Sequence, residues 1–406
     1  MAQLDMSALN FALKRLWSQD RIKELAFTKL RVLLSMLSKP TDFGGEYEVV
    51  VAKYSHGKAP SPNFAIAQAN ANTSQGVKFL IDTVDLYNIA RISNKAIRGS
   101  KDKPKSLAQA IDLEMTSCID SLMNHIASAI YGDRTGQLAV IETGGVTTTT
   151  VTVTNKYDLR QIEKGQVHVA VASGAPRAAA TVASVDPDAG TITYTASVAA
   201  LSWAAADTIH HEGAYLSATS NLNIAGLGSW VPNTAPTSAS FFGVDRSVAV
   251  QKLGGCRLSG ATGRLDQKID ELIDIVQIAG GGVDTIVMNP VQMRKLKYIL
   301  GTKVEYSERV TEAGVGFKGV VFMSGMGPVE AFSDPYCPAS KVFALSLDTW
   351  KLLSMGEFPG ILTDSTNDRA IPQAAADGVE IRVGGYAQMY CNAPGHNGVL
   401  HSLSIT

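Results

Sequence analysis

Few side chains in this 406-residue chain have the types and spacing to do chemistry. His210, His211 and Glu212 are consecutive and of metal-ligating type. Neighbours on a strand point to opposite faces, so the two histidines cannot readily share one ion, and the pair reads as an exposed strand end. The H-E-x-x-H pattern of zinc proteases is absent. The stretch GVGFKG, Gly314 to Gly319, has the spacing of a dinucleotide-binding turn. That turn needs a strand before it and a helix after it, whereas here the strand-like VVFM follows. Neither G-x-x-x-x-G-K-[ST] nor G-x-S-x-G occurs. Asp266, Asp270, Glu271 and Asp274 fall at helical spacing and read as a solvated face. His125 lies on the polar side of a long helical pattern, where solvation or a polar contact suits it. Cys118, Cys256, Cys337 and Cys391 are far apart, with no C-x-x-C pair, which reads as free thiols in a reducing compartment. The expectation is a chain with no catalytic, cofactor-binding or metal-ligating residues, and not an enzyme.

Composition bounds the rest. The chain is 45% hydrophobic and 18% charged, with a formal net charge of -1. That is ordinary for a globular protein long enough for two or three domains. The charge is unevenly spread: the stretch up to Lys105 is basic and the remainder acidic. Such asymmetry suits self-association between unlike surfaces, or a solvated basic helix face. Contact of the basic quarter with nucleic acid would run through phosphates and be non-specific. No signal peptide is visible and no uncharged run reaches the roughly 20 residues that span a bilayer, so no membrane partner is expected.

The elements come in a telling order. Leu9, Leu13, Leu16, Ile22, Leu25, Leu30, Leu33 and Leu37 recur at helical spacing between basic residues, until Pro40 and Gly44-Gly45 end the pattern. Glu46 to Tyr54 then reads as a strand, followed by a Pro/Gly turn, a polar run and a second apolar segment, VKFLI. Residues 42–80 hold too few large apolar residues to form a compact unit, and so read as a long hairpin-like loop that needs surface from elsewhere. Ser106 to Tyr131 carries one apolar stripe, with an S-x-x-Q capping box at Ser106 and Gln109 and Gly132 at its end. Residues 142–216 are Thr/Val-rich with Asp/Gly/Pro turns, the pattern of a small inserted all-β domain. An α/β stretch follows, with a helix ending at Gly280-Gly281-Gly282, the buried strand DTIVM and a helix opened by Asn289-Pro290. The C-terminal part is strand-rich and must pair with earlier segments.

A basic helical arm, an extended loop from GGEYEVVV, the strand region VDLYNIARIS, a strut helix, the segment DTIVMNPVQMRKL and a β-rich C-terminus, in that order, resemble the major capsid proteins of tailed bacteriophages, with the Hong Kong 97-like fold. The resemblance implies an α+β fold with an N-arm at 1–41, an extended E-loop at 42–80 and a peripheral domain with the spine helix at 81–141. It further implies an inserted β domain at 142–216, an axial α/β domain at 217–342, and C-terminal strands at 343–406 completing the peripheral and axial domains. It implies self-assembly into pentamers and hexamers of an icosahedral head enclosing double-stranded DNA. Inter-subunit contacts then fall to Glu46, Tyr47, Val49, Val51, Tyr54, Phe64 and Phe79, and the basic arm presents Arg15, Arg21, Lys23 and Lys29, inward or toward a neighbour. The implied partners are the chain itself, a separate scaffolding protein, a portal, a decoration protein and packaged DNA; the implied location is the virion capsid, assembled in the bacterial cytoplasm. Some relatives cross-link through an E-loop lysine; Lys53, Lys58 and Lys78 are available, and the expectation is no such bond. Two rival readings are an encapsulin-like nanocompartment shell and an α/β metabolic enzyme with an inserted β domain.

Overall fold

A computed structural model describes residues 21–22, 31–95, 104–215, 223–300, 306–310, 316–324, 327–363, 368–373 and 376–405. Helix α1 (Val32–Met36) buries Leu33 and Leu34 completely. Strand β1 (Glu48–Ser55) pairs antiparallel with β2 (Gln75–Ile81), and between them the ribbon carries a short helix, α2 (Phe64–Ala69). Strand β3 (Val84–Ser93) leads to the longest helix, α3 (Pro104–Ala129). At about 1.5 Å per residue, its 26 residues span roughly 39 Å. Pro104 and Lys105 already belong to the helix, so Ser106 lies within it and is not its cap.

The Thr/Val-rich stretch forms β4 (Ala139–Val146), β5 (Thr150–Val153), β6 (Val167–Ala172), β7 (Ala175–Pro176), β8 (Ala180–Asp186), β9 (Thr191–Tyr194) and β10 (Thr208–His211). The strands run in the order β10-β4-β5-β9-β8-β6-β7, and β10 also pairs with β6. Six strands therefore close on themselves as a barrel, which removes their open edges. It has its own core, with Ile141, Val151, Tyr194, Trp203 and Ile209 buried inside. The barrel includes Ala139 to Ile141, ahead of the position 142 at which the sequence pattern changes. His210 is not an exposed strand end: it is buried, with Nε2 against the Thr208 hydroxyl at 2.7 Å.

The chain continues through α4 (Leu227–Trp230), the two-residue pair β11 (Ser240–Phe241) and β12 (Val244–Asp245), α5 (Val250–Gly254), β13 (Cys256–Ser259), α6 (Leu265–Ile278), β14 (Thr285–Met288) and α7 (Pro290–Leu300). Then come β15 (Tyr306–Val310), β16 (Gly316–Ser324), β17 (Gly327–Ser333) and β18 (Val342–Leu345). The last strands are β19 (Trp350–Ser354), β20 (Gly360–Leu362), β21 (Ile371–Pro372), β22 (Gly378–Cys391) and β23 (Gly398–His401). One seven-stranded sheet runs β13-β23-β18-β14-β17-β16-β15, parallel at β13–β23 and β14–β17. All four residues of β14 are buried, and Asn289 caps α7 by accepting from the Val291 N–H at 3.0 Å. Within GVGFKG, Gly316 to Gly319 form the start of β16, paired with β15.

A second sheet is organised by the 14-residue β22. Strand β3 lies along it from Ser93↔Gly378 to Val84↔Ala387, while β19, β20 and β21 pair with it at other points. The last strands thus join both sheets. The stripe Ile111, Met115, Ile119, Leu122, Met123, Ile126 of α3 shares one core with β3 and β22. All four cysteines are buried and unpaired, and burial pushes the thiols of Cys118 and Cys391 up to about 12.

Candidate assembly interface

The β1–β2 ribbon is two-faced because its register is fixed. Val50 pairs with Phe79 and Ala52 with Val77, and these inner residues are buried or packed against the main core. Val49 pairs with Leu80 on the outer face, and both are exposed, as are Tyr47 and Val51. Alternation of this kind is what a half-covered strand demands. Here the uncovered half is also apolar.

Aromatic rings clamp the base of the ribbon. The Phe79 ring meets Trp230 edge-on at 5.1 Å and Phe241 at 6.4 Å. Trp230 stacks on Phe242 at 5.7 Å, and its indole N–H donates to the Met389 carbonyl at 3.2 Å. Guanidinium groups lie on the cluster from both sides, Arg246 at 3.9 Å over Phe241 and Arg134 at 4.2 Å over Phe242. Burial lowers both arginines to about 10. The Leu80 N–H donates to the Phe242 carbonyl at 3.0 Å.

Among the described residues, none covers the helix at the distal end of the ribbon. Asn63 caps α2 by accepting from the Ala65 and Ile66 N–H groups, yet none of the helix is buried. Phe64 is 80% exposed and Ile66 51%. Gly57 has φ +62°, and a Cβ there would lie 2.5 Å from the Thr73 carbonyl oxygen, so the neck of the loop requires glycine.

Of the contact residues expected from the sequence, Glu46, Tyr47, Val49, Val51 and Phe64 are exposed. Phe79 and Tyr54 lie instead on the inner face of the ribbon. Phe79 is 0% exposed and lies in the core of its own chain, and Tyr54 packs against that core. Both fall on the inner face by strand parity.

The arm docks on α3. Arg21 pairs with Asp112 at 2.8 Å. Arg31, which is buried, donates to Asp120 Oδ1 at 3.0 Å and to Asn124 Oδ1 at 2.9 Å. Asp112, Asp120 and Asn124 lie on one face of the helix, spaced by eight and four residues. Asn124 also accepts from the Tyr336 hydroxyl at 2.6 Å. One turn away, the buried carboxylate of Asp334 accepts from the Leu33 N–H at 3.0 Å, the Tyr131 hydroxyl at 2.8 Å and the Tyr336 N–H at 2.9 Å. Arm, long helix and seven-stranded sheet are thereby tied together. Arg15, Lys23 and Lys29 lie outside the described residues. No sequence motif marks this network, since its partners are some 90 to 300 positions apart.

Asp266 pairs with Arg264 at 2.7 Å and Glu271 with Lys268 at 2.7 Å on the outside of α6. Among the described residues, no group of three His, Cys, Asp or Glu is arranged to hold a metal, and no helix is long and apolar enough to cross a membrane.

Residues 208–401 match the family model of the SU10 major capsid protein. A chain from the capsid asymmetric unit of cyanophage A-1(L) shares the fold at a TM-score of 0.53 and 12% identity, with 92% of each chain covered. The C-terminal part of the chain is thus similar to a phage major capsid protein family, and the fold is that of a phage capsid chain. Two further structures are similar to this chain at lower scores. A holo-encapsulin complex from Synechococcus elongatus has a TM-score of 0.47 and 9% identity, covering 100% of this chain and 98% of that one. The capsid of a native GTA particle has a TM-score of 0.44 and 10% identity, covering 93% and 92%. No curated relative matches the sequence. The chain has the Hong Kong 97-like capsid fold.

Proposed function

We propose that the ribbon from Glu46 to Ile81 is an E-loop laid across a neighbouring subunit, and that copies joined this way form the hexamers and pentamers of an icosahedral head around double-stranded DNA. The observation that carries this reading is the apolar outer face: Tyr47, Val49, Val51, Leu80, Phe64 and Ile66 are exposed together on a projecting segment. Apolar surface of this extent is rarely left to solvent. A neighbour that covers it recovers roughly 25 cal/mol per Å² of apolar area. Many such contacts, each modest, close a shell.

The role is structural rather than catalytic. Residues 1–41 act as the N-arm, 81–141 with the returning C-terminal strands as the peripheral domain, and 217–342 as the axial domain. A separate scaffolding protein guides assembly in the host cytoplasm, portal and decoration proteins join the shell, and the basic arm meets a neighbour or packaged DNA without sequence preference. Deleting Ser55 to Gln75 and imaging the purified product by negative stain tests the central claim. Folded monomers or capsomers without closed shells are expected; normal shells from the deletion would overturn it.

A further inference from the structure

Three imidazoles meet where the barrel rests on the long helix. His125 projects from α3, His168 from β6 and His211 from β10. The His211 ring stands 5.4 Å from that of His125 and 5.3 Å from that of His168. His125 is therefore not simply solvated on a polar helix face; it is partly buried against the barrel.

The tautomer of His168 follows from its neighbours. Gln166 donates its amide N–H to the Gln161 carbonyl at 3.2 Å and accepts from the Glu163 N–H at 3.0 Å, so its oxygen faces inward. That oxygen lies 3.2 Å from His168 Nε2, which must then carry the proton. Nδ1 is left to accept from the Tyr194 hydroxyl at 3.1 Å. The seam is thus built for neutral rings.

Charged and titratable groups approach from every packed element. His125 and His211 edge a cavity of about 490 Å³ whose wall also includes Asp85 on β3, Glu163 before β6 and Glu212 after β10. His210 lies behind, with Asp133 and Tyr215 on its side. Asp120, five residues before His125 on α3, is held by Arg31. Tyr194 lies behind His168, and Asn223 bonds His125. Burial outweighs the carboxylates. It pushes His168 down to about 4, and burial with the neighbouring imidazoles pushes His211 down to about 3. His125 is lowered by burial against the opposing bond to Asn223.

We propose that this histidine seam is an acid-sensitive latch: neutral rings close the barrel onto the long helix, and their protonation releases it. The closed seam binds fewer protons than the open one, because opened histidines return toward their ordinary 6.5. Closure is therefore complete above that value and is lost as pH falls from 6.5 toward about 4 for His168 and about 3 for His211. Each proton taken up on opening raises the opening constant about ten-fold per pH unit, and two raise it about a hundred-fold. The latch concerns this chain whether or not it is in a shell.

The test is amide hydrogen exchange of the full chain, corrected for intrinsic rates, at steps from pH 7.5 to 4.5. Peptides covering Val167–Ala172, Thr208–His211 and the second half of α3 should lose protection by at least ten-fold per pH unit below 6.5. Peptides of α6 should not. The double variant His125→Gln, His211→Gln should show a flattened profile, while His168, which has two fixed bonds, is left in place. A wild-type seam whose protection is unchanged down to pH 4.5 overturns the proposal. So does a double variant with the wild-type slope, or a loss of protection shared equally by α6. If the double variant does not fold, the contrast between seam and α6 in the wild type decides alone.

Discussion

The Tyr131 hydroxyl donates to the Asp334 carboxylate at 2.8 Å, joining the end of the long helix to the seven-stranded sheet across 203 positions of sequence. Asp334 is 1% exposed and accepts two further bonds, from the N–H groups of Leu33 and Tyr336. Three donors are thus satisfied at one buried carboxylate, and each would be orphaned by its removal.

Asp334→Ala should therefore cost several kcal/mol, since an unsatisfied buried donor costs about 1–3 kcal/mol. Asp334→Asn should cost less, because one oxygen remains. Burial raises the Asp334 pKa. The folded state then holds its proton to higher pH than the unfolded chain, so this residue's contribution falls as pH rises from the ordinary 3.8 through the raised value. Urea unfolding of both variants across pH measures the cost and shows whether that slope disappears with the carboxylate.

Arg31 should not tolerate Lys. A guanidinium reaches Asp120 and Asn124 together, at 3.0 and 2.9 Å, while an ammonium is a single point. Arg31→Lys is expected to destabilise by about 1–2 kcal/mol and Arg31→Ala by about 2–4 kcal/mol, with the larger loss from an unanswered Asp120 and a vacated buried site. Thermal melts of unassembled protein check both; equal stability of the Lys variant would refute the fork argument.

The two faces of the ribbon should separate by phenotype. Phe79→Ala opens a hole beside Trp230 and should cost about 3–5 kcal/mol of fold stability. Val51→Asp changes an exposed side chain, so it should leave stability within about 0.5 kcal/mol while preventing closed shells. Paired melting curves and particle counts by electron microscopy distinguish them. A stable Phe79→Ala that fails only in assembly would place that ring at the interface after all.

Assembled shells boiled in denaturant and reductant should run as a single monomer band. Lys53, Lys58 and Lys78 are exposed on the ribbon, so the experiment has an available nucleophile to detect. A ladder above the monomer would show a covalent cross-link and contradict the expectation.

Local chemistry was legible in the sequence where local chemistry decides structure. The apolar run DTIVM became buried β14, and Asn289-Pro290 opened α7 with the asparagine as cap. The ribbon's alternation was equally plain, but which parity faces inward depends on the body beneath it. Phe79 turned inward because Trp230 and Phe241, far along the chain, wait below. The same limit hid the Arg31–Asn124–Tyr336 network and the histidine seam. Each is assembled from residues whose separation in sequence carries no spacing rule, and only tertiary packing brings them together.

The barrel's closure has a topological consequence. Its first and last strands are hydrogen-bonded neighbours, Ile209 opposite Ala139, with the Leu138 N–H donating to the Ile209 carbonyl at 2.8 Å. The polypeptide thus leaves the body and returns to it through one narrow doorway. Turns of the barrel beyond that doorway and away from its seam with α3 can therefore be lengthened or trimmed without redirecting the chain on the near side.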